Sequence, residues 1–183
     1  MHMTTKSSNA SWSDVKAKLA DHDRAGLLSL VQDLYAASKE NQAFLHARFH
    51  LGDDVLKPYK VTLARWLWPD MFKNQDTSVA KAKKAIADYK KAVGRADELA
   101  ELMVFYCEQA SGFSCDVGLQ DEGYFDALVR MFEQALITTD TLPTAQRPAL
   151  MARLDAVRQR CHNIGFGVGD DMDALFDAHG GDA

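Results

Sequence analysis

Residues 78–94 read SVAKAKKAIADYKKAVG, and this stretch decides the fold because its pattern is the clearest in the chain. Its apolar residues recur at intervals of three and four, which is the spacing of one face of an α-helix. These positions are Val79, Ala82, Ile86, Tyr89 and Val93. Gly94 follows and supplies a stop. The stretch therefore predicts an amphipathic helix that carries lysines around its apolar stripe.

The same three-and-four spacing occurs in most long segments on both sides of this helix. No stretch alternates polar and β-branched residues as a half-buried strand would. We expect seven to nine helices in an all-α fold, arranged as a multi-helix bundle or as a short stack of antiparallel helix pairs. Residues 111–123 contain three glycines and are predicted to form a loop. Further helices are predicted to start near Ser13, Asp23, Asp53 or Asp54, Asp97, Phe125, Pro148 and Asp170.

The composition is that of an ordinary globular chain, with 183 residues, 47% of them hydrophobic and 26% charged. We expect a single all-helical domain over residues 12–179, a disordered or tag-derived N-terminus over residues 1–11, and a frayed C-terminus over residues 180–183. The three cysteines show no short-range pairing pattern, which favours a reducing compartment. No signal-like segment or membrane span is apparent, so we expect a cytoplasmic protein without membrane contact.

Charge is segregated along the chain, although the net value is only −5. Residues 73–95 contain seven basic and two acidic residues, whereas residues 96–129 contain eight acidic residues and no Lys or Arg. A face dominated by one sign either meets a complementary surface within the fold or is presented to a partner. The sequence leaves both possibilities open for the lysine-bearing helix.

The first candidate site is the row of lysines on that helix, namely Lys81, Lys83, Lys84, Lys90 and Lys91. Several lysines on one helix could contact a phosphate backbone or an anionic protein partner. The alternative is a solvated face, which we favour over nucleic-acid binding because no aromatic residue is interleaved for base stacking. The acidic balance of the chain, with an isoelectric point near 5.6, also disfavours nucleic acid.

The second candidate is a metal site at His46 and His50, which are spaced by one helical turn, with Asp54 or its neighbour Asp53 as a third ligand. A zinc protease motif would need Glu at position 47, where this chain has Ala47. Two partly exposed histidines are the simpler interpretation, because zinc sites usually need three well-placed protein ligands. We therefore expect no metal and no cofactor.

Other reactive-looking residues have simpler explanations. Adjacent helical residues point about 100° apart, so Cys161 and His162 cannot form a nucleophile–base pair directly. The sequence GFGVG at residues 165–169 resembles half of a dinucleotide fingerprint but follows a predicted helix rather than a strand. Cys107 and Cys161 are predicted to be buried, and Cys115 to be the most accessible thiol.

Four stretches together resemble a family of small all-helical bacterial proteins without an assigned function. They are residues 27–45 (LLSLVQDLYAASKENQAFL), 78–94, 101–118 (ELMVFYCEQASGFSCDVG) and 124–136 (YFDALVRMFEQAL). The resemblance covers about two thirds of the chain, and the glycine-rich segment after Cys161 departs from it. It implies an all-helical fold and a bacterial cytoplasmic setting, and it carries no activity, cofactor or site residue.

These observations predict a non-enzymatic interaction or regulatory protein that presents a helix face or groove to a protein partner. No nucleophile–base pair, complete ligand set or phosphate loop stands in the required context. The lysine-bearing helix and the corner at residues 66–72 are the expected contact regions. Nucleic-acid binding through Lys81–Lys91 and a metal-dependent activity at His46 and His50 are the alternatives, and the chain is expected to be a monomer or a homodimer.

Overall fold

The computed structural model describes residues 10–180, and this range divides after Gln42 into two compact units. The predictions for residues 1–9 and 181–183 lie outside the described residues. Helices make up 77% of the described chain, and no strand occurs in it. The all-α prediction of seven to nine helices is therefore confirmed, with nine α-helices between residues 10 and 180.

The first unit contains two short helices that have no core of their own. Helix α1 spans Trp12–Leu19, α2 spans Arg24–Ala37, and α3, Lys39–Arg48, begins at the end of the unit. Ser11 and Asp14 form a capping box at the start of α1, and the Asp23 carboxylate caps α2 as predicted. No residue from 10 to 42 is buried.

The second unit contains the hydrophobic core. Its remaining helices are α4 (Lys57–Leu67), α5 (Val79–Ala92), α6 (Ala96–Val117), α7 (Glu122–Asp140), α8 (Arg147–Cys161) and α9 (Val168–Gly180). Helix α6 is the longest and packs against α4, α5, α7 and α8, while α9 covers α7 and α8. Helix α6 is apolar on several sides, as predicted for a central helix.

The predicted loop at residues 111–123 is wrong, because α6 continues through Val117 and leaves a connection of only four residues before α7. Gly112 is buried in this helix against the indole of Trp68. A Cβ at position 112 would lie 2.3 Å from Trp68 Cζ3. This glycine therefore provides room for a neighbouring side chain and does not mark a turn.

Several predicted helix boundaries shift for identifiable reasons. Helix α3 ends at Arg48, and the chain after it adopts a left-handed conformation at His50, with φ of 50°. Helix α4 starts after Leu56, because the Asp54 carboxylate accepts hydrogen bonds from the backbone N–H groups of Leu56 and Lys57. Asp97 and Asp170 lie inside the first turns of α6 and α9, where negative charge is favourable, rather than at the caps.

Ion pairs join the helices around α6. The Arg153 guanidinium on α8 donates to both oxygens of Glu108, at 2.7 and 2.8 Å, and to Glu101 at 2.5 Å. Lys60 on α4 reaches the other Glu101 oxygen at 2.6 Å. Burial raises the pKa of Glu101, but Arg153 and Lys60 outweigh it and hold that pKa below its ordinary value. The acidic face of α6 thus holds α4 and α8 together.

Candidate functional site

The acidic stretch does not cover the lysines of α5. Glu101 and Glu108 face Arg153 and Lys60, which lie on α8 and α4. The other ion pairs of residues 96–129 join Asp97 and Glu98 to Arg95, and Asp126 to Arg130. Of the two possibilities left open by the sequence, the structure therefore favours a lysine face that is presented outward.

The five lysines of α5 differ in their surroundings. Lys81 Nζ lies 3.8 Å from the ring centroid of Trp66, a distance at which a cation is attracted to the aromatic face. Lys84 Nζ lies 2.5 Å from the carboxylate of Asp88, one turn later on the same helix. These two lysines are engaged by neighbouring side chains.

Lys83, Lys90 and Lys91 make no ion pair with any described residue. Lys83 and Lys90 are seven residues apart on one side of α5, which places them about 10.5 Å apart along the helix axis. Lys91 lies about 80° around the helix from Lys83. The structure therefore brings two of the five predicted lysines together and separates them from the other three.

Lys83 and Lys90 stand at the rim of a groove between α5 and α7. The groove has a volume of about 220 Å³ and crosses the surface of α6. Its floor contains Ile86 and Met131, which are buried, and the thioether of Met103. The complete lining is Lys83, Ile86, Ala87, Lys90, Met103, Met131 and Gln134, and we call it the α5–α7 groove.

The apolar lining of this groove suits an inserted side chain. Methionine is flexible and polarisable, so Met103 and Met131 can adjust to different apolar shapes. The Thr138 hydroxyl lies 3.5 Å from Met103 Sδ and ties the floor to α7. Sequence reasoning found the lysines but missed Met103, Met131 and Gln134, because no spacing along the chain indicates that α5 and α7 approach each other over α6.

The structure does not assemble the predicted metal ligands. His46 lies in the last turn of α3, whereas His50 lies beyond the helix end in a left-handed conformation, so the two do not share a helical face. The Asp54 carboxylate is used in capping α4. Between residues 10 and 180, no three His, Cys, Asp or Glu side chains are grouped so that they could hold a metal ion.

The thiols are buried or weakly acidic. Cys107 and Cys161 are buried, and burial raises the pKa of Cys161 to about 12 and that of Cys107 well above its ordinary value. Cys115 is exposed on α6, yet partial burial of its sulfur raises its pKa as well. Since the thiolate is the nucleophile, none of the three is activated. His162 lies 3.0 Å from the Asp173 carboxylate and is engaged there.

Two further regions singled out from the sequence have structural roles. Residues 165–167 belong to the turn between α8 and α9, with left-handed conformations at Phe166 and Gly167, residues 168 and 169 begin α9, and no strand precedes them in the described chain. At the corner of residues 66–72, the Trp66 ring is within cation–π distance of both Arg65 and Lys81. Phe72 at the tip of this corner is fully exposed.

In the part of the chain that the structure describes, no helix has both the length and the apolarity needed to cross a bilayer. No protein-family model, curated protein or solved structure matches the chain.

Proposed function

We propose that this protein is a protein-binding module, and that its α5–α7 groove takes an apolar side chain from an amphipathic helix carrying acidic residues. The observation that carries the proposal is the pair Lys83 and Lys90, which lack an ion pair within the described residues and flank an apolar depression. A groove of this kind is one of the recurrent ways in which proteins recognise helical segments.

The dimensions favour an anchor-residue mode of binding. A volume of about 220 Å³ accommodates one or two aliphatic side chains, not an extended apolar face. Interfaces commonly concentrate their binding free energy in a few such anchors at a desolvated centre. Leucine, methionine or phenylalanine on a partner helix would fit between Ile86 and Met131.

The charges at the rim define the partner further. Two acidic residues seven positions apart on a partner helix are separated by the same ~10.5 Å as Lys83 and Lys90. They would lie on one face and could meet both lysines while an apolar residue between them enters the groove. Rim charges contribute mainly to association rate and selectivity, so binding should weaken as salt increases.

The test is selection from a displayed library of helices that are long enough to present anchors at positions i, i+3, i+4 and i+7. We expect enrichment of an apolar anchor flanked by Asp or Glu at positions seven apart. The double variant Lys83→Glu/Lys90→Glu should bind the enriched peptide at least about tenfold more weakly, because it replaces attraction with repulsion at both rim positions. Ala87→Trp should also abolish binding by filling the groove.

Matched controls lie on the same helix. Lys84→Glu/Lys91→Glu introduces the same charge change, also at positions seven residues apart but outside the groove, and Ala80→Trp places an indole at another exposed position. Both variants should bind the peptide as the parent chain does. Three outcomes would each refute the proposal. The selection could enrich basic peptides, or the control variants could lose as much peptide affinity as the groove variants. The chain could also bind a nucleic-acid duplex tightly and in a salt-sensitive way that Lys83→Glu/Lys90→Glu abolishes.

A further inference from the structure

The α2 helix of the first unit carries an apolar face that the rest of that unit does not bury. We define this α2 apolar face as Leu27, Leu28, Val31 and Leu34. Leu27, Val31 and Leu34 are spaced by four and three, and Leu28 extends the stripe one turn before Val31. Leu28 is 60% exposed and Leu34 is 52% exposed. Single exposed leucines are common, but a contiguous stripe of them indicates an interaction surface.

Helix α1 does not cover the α2 apolar face and carries exposed apolar side chains of its own. Trp12 and Val15 lie on one side of α1 and are also exposed. Helices α1 and α2 do not pack closely on each other, and no residue in 10–42 is buried. Isolated helices of this length are marginal in water, because most helical stability comes from packing of an apolar face. The unit therefore needs an external surface to complete a core.

We propose that the α2 apolar face pairs with the same face on a second copy of this chain. The face contains no charged side chain, so a two-fold pairing brings no like charges together, and an isologous interface must be self-complementary in this way. Helix α2 has Arg24 as its single basic residue, whereas a helix lying on a membrane surface usually has a basic polar face. A second copy therefore fits better than a lipid surface.

The available area supports a weak, reversible dimer. The exposed parts of the α2 apolar face, together with those of Trp12 and Val15, amount to roughly 600 Å² per copy, or about 1,200 Å² in a pair, at the lower limit of specific interfaces. We expect a dissociation constant on the order of tens of micromolar. Half of the chains should then be paired at concentrations of that order.

The experiment is sedimentation of the full chain from about 1 μM to about 200 μM, a range that brackets this constant. The mass should rise from the 20.3 kDa of one chain toward twice that value. Val31→Glu/Leu34→Glu should weaken pairing at least about tenfold, because each dimer would bury four new carboxylates. The control Ser29→Glu/Ala36→Glu adds the same charge to the opposite side of α2, where both positions are exposed, and should leave the masses unchanged.

Both double variants place glutamate at exposed helical positions, where it is a good helix former, so far-UV circular dichroism should match the parent chain. A parent chain that stays monomeric at the highest concentration overturns the proposal, whether or not α2 then binds anionic vesicles. A dimer that persists in Val31→Glu/Leu34→Glu overturns it equally. Lys83→Glu/Lys90→Glu should not change the mass, which separates this inference from the proposed function.

Discussion

The buried Gly112 lies against the indole of the partly exposed Trp68, so replacing the glycine with alanine should destabilise the protein although alanine is the better helix former. The added Cβ would lie 2.3 Å from Cζ3, 2.9 Å from Cη2 and 3.2 Å from Cε3 of the indole. All three atoms belong to a rigid ring, so the clash cannot be relieved by rotating a flexible chain end. Either Trp68 leaves its place or α6 shifts.

Two opposing contributions set the size of the effect. Overpacking of a core typically destabilises by about 1–3 kcal/mol, and the 2.3 Å approach places this site near the upper limit. Replacing an interior helical glycine with alanine stabilises by about 1 kcal/mol. We therefore expect Gly112→Ala to lower the free energy of unfolding by about 2 kcal/mol, which corresponds to a fall in Tm of about 4–8 °C for a chain of this size.

Urea denaturation followed by far-UV circular dichroism measures this change, and a double-mutant cycle identifies its cause. In a Trp68→Leu background the clash is absent, so Gly112→Ala should stabilise by about 0.5–1 kcal/mol. Gly123→Ala is a matched control on α7, where the added Cβ meets only Asp121 Oδ1, at 3.5 Å. The reasoning is refuted if Gly112→Ala stabilises the parent chain, or if the sign of its effect is the same in both backgrounds.

Two other predictions concern ionisable groups. The folded-state pKa of Glu101 is depressed, so its contribution to stability is present above the ordinary pKa of 4.5 and is lost as the pH falls through the folded-state value. Glu101→Gln should therefore be less stable than the parent at neutral pH, and the difference in urea midpoints should shrink in acid; a constant difference would contradict this. Titration with a disulfide reagent should modify one thiol of the folded protein, and all three after unfolding. The rapid reaction of the folded protein with the reagent should disappear in Cys115→Ser. It should persist when serine replaces either of the buried cysteines, Cys107 and Cys161.

Local pattern was sufficient to predict the helices, because apolar residues three and four apart have to face a common core. The stripe of α5 and the apolar centre of α6 were both correctly identified. The loop prediction at residues 111–123 failed because Gly112 and Gly118 look alike in a sequence. Gly118 does end α6 with φ of 60°, whereas Gly112 accommodates an indole 44 positions earlier in the chain.

The candidate site was predictable in its charges but not in its shape. The excess of lysines on α5 is visible in the sequence, and so is the acidic stretch that follows. What the sequence did not reveal is that Arg153, more than 40 residues away from Glu108, pairs with Glu101 and Glu108 of that stretch, so that these two carboxylates face α8 rather than α5. Lys83 and Lys90 are left without a carboxylate as a result, and the methionine floor between them depends on three helices meeting.

The central position of α6 also has a consequence for the order in which this chain can fold during synthesis. Helices α4 and α5 emerge from the ribosome before the helix that covers them, and residues such as Leu63 and Ala82 have no complete burial until its 22 residues follow. At about 5–20 residues per second, that interval lasts about one to four seconds. Over that time the nascent chain exposes apolar surface that the finished protein buries, and transiently exposed surface of this kind makes a folding intermediate prone to aggregation.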